Sequence, residues 1–135
     1  MTKPIKQSVT LPASAKELYG MYLSPKSHAR ITGAPVRIGK QAGARFSAFG
    51  GELSGTMLAT VPDRLIVQSW RSCNFKESDP DSILILSFTP VGKNSARIDL
   101  VHVNVAKQDH KGVAEGWPSY YWKPWRKFLK QRSSA

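Results

Sequence analysis

A chain of 135 residues is the size of one ordinary domain, long enough to bury roughly two-thirds of the surface it exposes when unfolded. Its 20 Lys and Arg against 9 Asp and Glu give a net charge of +11, which directs attention to nucleic acid, anionic lipid or acidic protein as partners. The single cysteine, Cys73, excludes an internal disulfide and a multi-cysteine metal site, and no apolar run approaches the ~18–20 residues of a membrane span.

Residues 5–11 (IKQSVTL) alternate and predict a strand, ended by Pro12. Ser14 with Glu17 three residues later reads as a capping box, and Leu18, Tyr19, Met21 and Tyr22 follow at helical spacing. A second short helix is expected over 24–31, opened by Ser24 with Pro25 at its first position. Gly33, Pro35, Gly39 and Gly43 mark a loop region. The period then becomes strand-like: ARFSAF and ELSGTMLATV flank Gly50-Gly51 as a hairpin, and Pro62-Asp63-Arg64 turns the chain into LIVQSWRS. KESDPDS is a loop, ILILSF a strand, PVGKNS a turn and ARIDLVHVNV the sixth strand. One long helical segment follows Asp109. The short links predict a largely antiparallel sheet of about six strands, and its apolar face has only the C-terminal helix to cover it. The expected fold is α+β: a curved sheet wrapped on one helix, a helix-grip fold, as a single domain over 1–135. The first thirty residues lack the layout of a signal peptide, and a cytoplasmic protein is expected.

The terminal segment GWPSYYWKPWRKFLK holds six of the thirteen aromatic residues. On a wheel of about 100° per residue, the apolar set spans an arc of about 200°, with Trp117, Tyr121 and Phe128 near its centre and Trp122 and Leu129 towards one margin. Arg126, Lys130, Lys123 and Lys127 gather on the opposite side, between about 180° and 280°. Aromatic and basic residues are segregated, which argues against a nucleic-acid surface, where they would share one face. A helix held in a concave sheet needs so wide an arc; the alternative is that Trp122 and Leu129 stay exposed as a contact patch. Pro118 and Pro124 predict a break or kink.

GELSGTMLATVPDRLIVQSWR, DSILILSF and EGWPSYYWKPWRKFL, with the earlier KELY and the TGAP at 32–35, resemble the C-terminal domain of the activator of the heat-shock protein 90 ATPase. The resemblance runs over about residues 4–130. That family sits in the START and birch-pollen-allergen superfamily, which implies a helix-grip fold. It also implies a chaperone-type protein partner, or an apolar small molecule held between helix and sheet. In the eukaryotic activator the domain follows a separate N-terminal domain that carries much of the stimulation. Some superfamily relatives catalyse cyclisation or dehydration in the cavity.

No hydrolase elbow, phosphate loop, dinucleotide fingerprint or metalloprotease helix occurs, and no cofactor is expected. His28, His102 and His110 show no metal-ligand spacing with carboxylates. His28, on a short helix, and His110, on a loop, are expected to face solvent. His102 shares a strand face with Ile98, Leu100 and Asn104, but Val101, Val103 and Val105 make the opposite face apolar too, so the facing is open. If the His102 face points at the helix, it is either a satisfied core histidine bonded to a tyrosine such as Tyr121 or to water, or a ligand-orienting or acid-base residue of a cavity. Cys73 has no adjacent base and reads as a small strand residue. Strand and helix facing, together with the superfamily resemblance, nominate Phe46, Met57, Trp70, Leu86, His102, Trp117 and Tyr121 as cavity residues. The favoured reading is a non-enzymatic domain that binds an apolar molecule, a chaperone partner, or both; a cavity enzyme using His102 and a basic nucleic-acid binder are the alternatives.

Overall fold

The structure is a computed structural model that describes residues 2–134. Its strands are β1 (Ile5–Leu11), β2 (Val36–Arg37), β3 (Arg45–Ala48), β4 (Leu53–Val61), β5 (Leu65–Ser72), β6 (Ser82–Gly92) and β7 (Ser95–Val103). They form one sheet in the order β1-β7-β6-β5-β4-β3-β2, with every pairing antiparallel. The helices α1 (Ala15–Leu23) and α2 (Pro25–Thr32) link one edge of the sheet to the other. The chain ends in α3 (His110–Trp117), a π turn (Pro118–Trp122) and α4 (Lys123–Ser134). None of the described helices is long and apolar enough to cross a membrane.

Seven strands stand where six were expected. β2 lies in the presumed loop; two residues paired to Ser47 and Ala48 are too few to show a period. The β3–β4 hairpin is looser than a two-residue turn, because Phe49, Gly50 and Gly51 all adopt positive φ (53°, 67° and 96°). β6 runs on through Pro90 to Gly92 with a register shift there, leaving Lys93 and Asn94 as the turn. β7 ends before Asn104, whose φ of 61° takes it out of the ladder, so Asn104 does not share the inward face of His102. Cys73 is exposed in the turn after β5, not in the strand.

The two early helices start as their residues dictate. Ser14 Oγ accepts from the Glu17 N–H (3.1 Å), and Ser24 Oγ from that of Ser27 (3.2 Å) with Pro25 at the first position of α2. α1 lays Leu18, Tyr19 and Tyr22 on the sheet, where the Tyr19 ring meets Phe88 edge-on at 5.8 Å. The inward face of the sheet is built from alternate residues: Ile66, Gln68 and Trp70 on β5, Leu84, Leu86 and Phe88 on β6, Ile98, Leu100 and His102 on β7. Gly55 lies opposite both Phe46 and Trp70 in neighbouring strands, and a Cβ there would fall 1.8 Å from the Ser69 carbonyl oxygen. A glycine at this position lets both rings close over the sheet.

His28 is buried, contrary to its expected exposure. α2 is only eight residues long, and its inward positions are His28 and Ile31. The imidazole makes two hydrogen bonds that satisfy it inside: Nδ1 to the Tyr22 carbonyl and Nε2 to the Tyr121 hydroxyl, each 2.8 Å. His110 is the first residue of α3, half-buried, with Nε2 on the Lys3 carbonyl oxygen at 2.8 Å.

The π turn answers the two prolines. Pro118 has no N–H for the carbonyl of Ala114, four residues back. Gln7 of β1 fills the gap, donating from Nε2 to that carbonyl (2.7 Å) while its Oε1 accepts from Trp122 Nε1 (2.8 Å). Within the turn the Lys123 N–H bonds the Pro118 carbonyl, five residues back. The slower winding brings Trp122 into line with Trp117, and the two rings stack at 5.7 Å and 23°. Trp122 is therefore buried. Downstream, Trp125 and Leu129 are fully buried and Phe128 only partly so, which moves the buried stripe away from the centre drawn on a uniform wheel.

Candidate functional site

Trp117 is tied to the sheet by a directional chain of hydrogen bonds. Its indole N–H donates to His102 Nδ1 (3.2 Å). An indole can only donate, so Nδ1 is bare and the proton sits on Nε2, which donates to Ser82 Oγ (2.9 Å). The Ser82 hydroxyl then donates to the Trp70 carbonyl (2.6 Å). Burial, with a smaller contribution from the charge of His110, pushes His102 down to about 3, so the ring is neutral and fixed in this tautomer. His102 is a satisfied core histidine whose partners are Ser82 and Trp117. Neither ring nitrogen is free to meet a substrate.

A second buried network lies beside it. The Tyr22 carbonyl can only accept, so His28 Nδ1 carries the proton and Nε2 accepts from Tyr121. Burial lowers His28 to about 4, partly offset by the Tyr22 carbonyl. Desolvation pushes the Tyr121 hydroxyl up, and pushes Tyr22 up with the same sign. Tyr22 donates to Gln68 Oε1 (2.9 Å). These groups hold rings in place and are not poised for proton transfer near neutral pH.

Between α3, the π turn, the end of β5 and the β3–β4 connection lies a cleft of about 310 Å³. That is the lower end of the roughly 300–1,000 Å³ of small-molecule sites. Its aromatic walls are Phe49, Trp70, Trp117, Tyr120 and Tyr121. Leu53 and Val113 add aliphatic surface. Gly112 and Gly116, one helical turn apart on α3, leave the helix backbone bare along one side. Ser72, Asn74 and Asp109 form the polar end. Asp109 is 8% exposed; its Oδ2 accepts from the Ser72 hydroxyl (2.5 Å) and its Oδ1 from Asn74 Nδ2 (3.2 Å). Across the mouth Phe49 meets Tyr120 edge-on at 5.6 Å, and Tyr120 is 58% exposed. A wider depression, about 610 Å³ between Thr2 and Lys107, has no aromatic wall.

Of the nominated residues, Trp70, Trp117 and Tyr121 come together in the cleft wall. His102 packs behind two of them, its ring 4.7 Å from Trp70 and 5.9 Å from Trp117. Phe46, Met57 and Leu86 are buried in the core and do not line the cleft. Sequence reasoning missed Phe49, Tyr120, Asp109 and the two glycines. The pair Gly112 and Gly116, four apart in a helical segment beside an aromatic cluster, was the one available signal.

Fold and cleft together define a helix-grip domain with a small aromatic cleft at one end of its C-terminal helix. Residues 12–128 match the family described as Activator of Hsp90 ATPase homolog 1-like protein, and the chain belongs to that family. In structure it is similar to an HSP90 activator from Plasmodium falciparum, with a TM-score of 0.87 at 18% identity, covering 96% of this chain and 97% of that one. In sequence it is similar to an activator of 90 kDa heat shock protein ATPase homolog from Dictyostelium discoideum, 23% identical over 116 residues, which are 86% of this chain and 30% of the relative. The human homolog 1 is 25% identical over 113 residues, 83% of this chain and 32% of that protein. The chain thus spans about a third of the length of these curated relatives.

Proposed function

We propose that this domain works by non-covalent binding, and that the cleft walled by Trp70, Trp117 and Tyr121 takes an apolar small molecule. The observation that carries this reading is the cleft itself: five aromatic side chains surround a space that Gly112 and Gly116 leave open. Two of those rings are held from behind, Trp117 by His102 and Tyr121 by His28, so the walls are preorganised. A cavity enzyme built on His102 is disfavoured, because both its nitrogens are already hydrogen-bonded, to Ser82 and to Trp117. The test is thermal or urea denaturation with a panel of small apolar and aromatic molecules. A ligand that binds only the folded protein at a hundred times its Kd should add about 2.7 kcal/mol of stability. No midpoint shift from any member of the panel would reject the cleft as a ligand site.

A second reading rests on family membership: the domain engages a chaperone of the 90 kDa heat-shock class in the cytoplasm, as the names of its relatives suggest. Titration of the labelled domain with that chaperone tests it directly. Absence of a complex at tens of micromolar would leave the cleft ligand as the sole function.

A further inference from the structure

In a chain where basic residues outnumber acidic ones 20 to 9, the lining of the cleft includes Glu52 and Asp109 and not one Lys, Arg or His. The cleft is therefore an acidic, aromatic pocket in a basic molecule. Asp109 is buried at its polar end, and among the described residues it forms no ion pair. A buried carboxylate is costly without a counter-charge. Ser72 and Asn74 occupy two of its roughly four acceptor sites, which leaves capacity for a further donor. Gly112 keeps that side uncovered: even a methyl group there would come to 3.4 Å from Oδ1. The aromatic walls are the rings of Phe49, Trp70, Trp117, Tyr120 and Tyr121, and aromatic faces attract cations within about 6 Å.

We propose that the cleft selects an organic cation: a small molecule with an aryl or alkyl body and a protonated or quaternary amine, the amine set against Asp109 and the body over the tryptophans. This rests on the cleft being a ligand site, as argued above. Fixed negative charge and aromatic faces act in the same direction, against the repulsion of a molecule whose net charge is +11.

The experiment uses three benzyl probes: benzyltrimethylammonium, its uncharged carbon isostere neopentylbenzene, and the smaller anion phenylacetate. Affinities are read by calorimetry, and location by the indole N–H resonance of Trp117. The cation should bind at least tenfold more tightly than the isostere, with phenylacetate weakest. Asp109→Asn, which keeps an acceptor for Ser72, should remove that tenfold preference and change the isostere's affinity less than twofold. Glu52→Gln, at an exposed position, should weaken the cation by a smaller factor and serves if the Asp109 variant does not fold. Equal or tighter binding of the isostere by the parent protein overturns the proposal and leaves the apolar cleft standing. Failure of all three probes to bind or to shift Trp117 overturns the cleft reading and this proposal with it.

Discussion

Trp117 does two things at once: it walls the cleft and it ends the hydrogen-bonded chain through His102 and Ser82. Trp117→Ala should cost on the order of 3–5 kcal/mol, the usual range for deleting a large buried aromatic. Trp117→Phe keeps a ring but leaves His102 Nδ1 without its donor, and should cost roughly 1–3 kcal/mol. Urea midpoints of the two variants check both figures, and a parental midpoint in either contradicts the anchoring role. The same histidine and His28 set a pH dependence. In the unfolded chain both rings titrate near the ordinary 6.5; in the folded protein they stay neutral until about 3 and about 4. Above pH 6.5 both states hold neutral rings and this contribution is fully present. As pH falls below 6.5 the unfolded chain takes up two protons that the fold refuses, so stability declines down towards pH 4. At pH 5 the loss should be on the order of 2 kcal/mol per histidine. Denaturation midpoints from pH 7.5 to 5 measure it, and His102→Gln should halve the slope. The two-residue period of β7 groups His102 with Ile98 and Leu100, but Val101, Val103 and Val105 are apolar as well, so its facing is open in the sequence; the structure buries the His102 face. The burial of His28 was not legible, because its partner Tyr121 lies 93 residues away and nothing local announces it.

The elements were read well wherever a period ran for long enough. β1, α1 with its Ser14 cap, α2 with Pro25 and the strands β5 to β7 follow directly from spacing and breakers. The C-terminal segment buries Trp117 and Tyr121 and breaks its period at Pro118 as its sequence predicts, but it does not keep the one constant period that a helical wheel assumes. Its buried residues Val113, Trp117, Tyr121, Trp125 and Leu129 recur every fourth position, with Trp122 buried beside them. On a wheel of 3.6 residues per turn such a set drifts by about 40° at each step and smears into a broad arc. The π turn takes up much of that drift, so the true buried stripe is narrower than the wheel suggests. The prolines predict a disturbance without its kind, because Pro118 removes a donor locally while the group that meets the freed Ala114 carbonyl, Gln7, comes from β1. α3 also carries two glycines where helix stability would prefer alanine. A Cβ at Gly112 or Gly116 meets only ordinary contacts, at 3.4 and 3.5 Å. Gly112→Ala and Gly116→Ala should therefore each stabilise the protein by about 0.5–1 kcal/mol. Both methyl groups enter the cleft, so the stability gained on adding a cleft ligand should shrink in the same variants. Urea titrations with and without ligand test this opposition; a variant that is no more stable and binds as before would contradict it.

At the scale of the whole molecule, the charge is unevenly spread. Glu52, Glu77, Asp79, Asp81 and Asp109, five of the nine acids, lie in or beside the β5–β6 loop. That loop is held to them by contacts such as Gln108 Nε2 on Asp79 (2.8 Å) and Asn74 on Asp109. The acid-free stretch beyond Glu115 carries five basic residues and no run of four together. Such a surface attracts polyanions without a built site for them. Binding to duplex DNA should be weak and should vanish near physiological salt, as gel-shift titrations across a salt series would show. Submicromolar, sequence-dependent binding at that salt would make nucleic acid the principal partner. The sequence showed the excess charge but not the acidic end, since the loop, the β3–β4 connection and the start of α3 meet only in three dimensions.

The contact between Gln7 and the carbonyl of Ala114 exists because Pro118 cannot supply the donor. It couples Gln7 to Pro118, 111 residues further along the chain, as one heritable unit. Replacing Pro118 with a residue that bears an N–H would let the helix satisfy Ala114 by itself, and Gln7 would keep only its bond to Trp122. Replacing Gln7 while Pro118 remains would leave a partly buried carbonyl without that donor. The order of change is therefore constrained: a lineage can lose the proline first and the glutamine afterwards, but the reverse path passes through a weakened intermediate. Across relatives of this chain the two positions should drift as a pair, with glutamine persisting wherever the proline does.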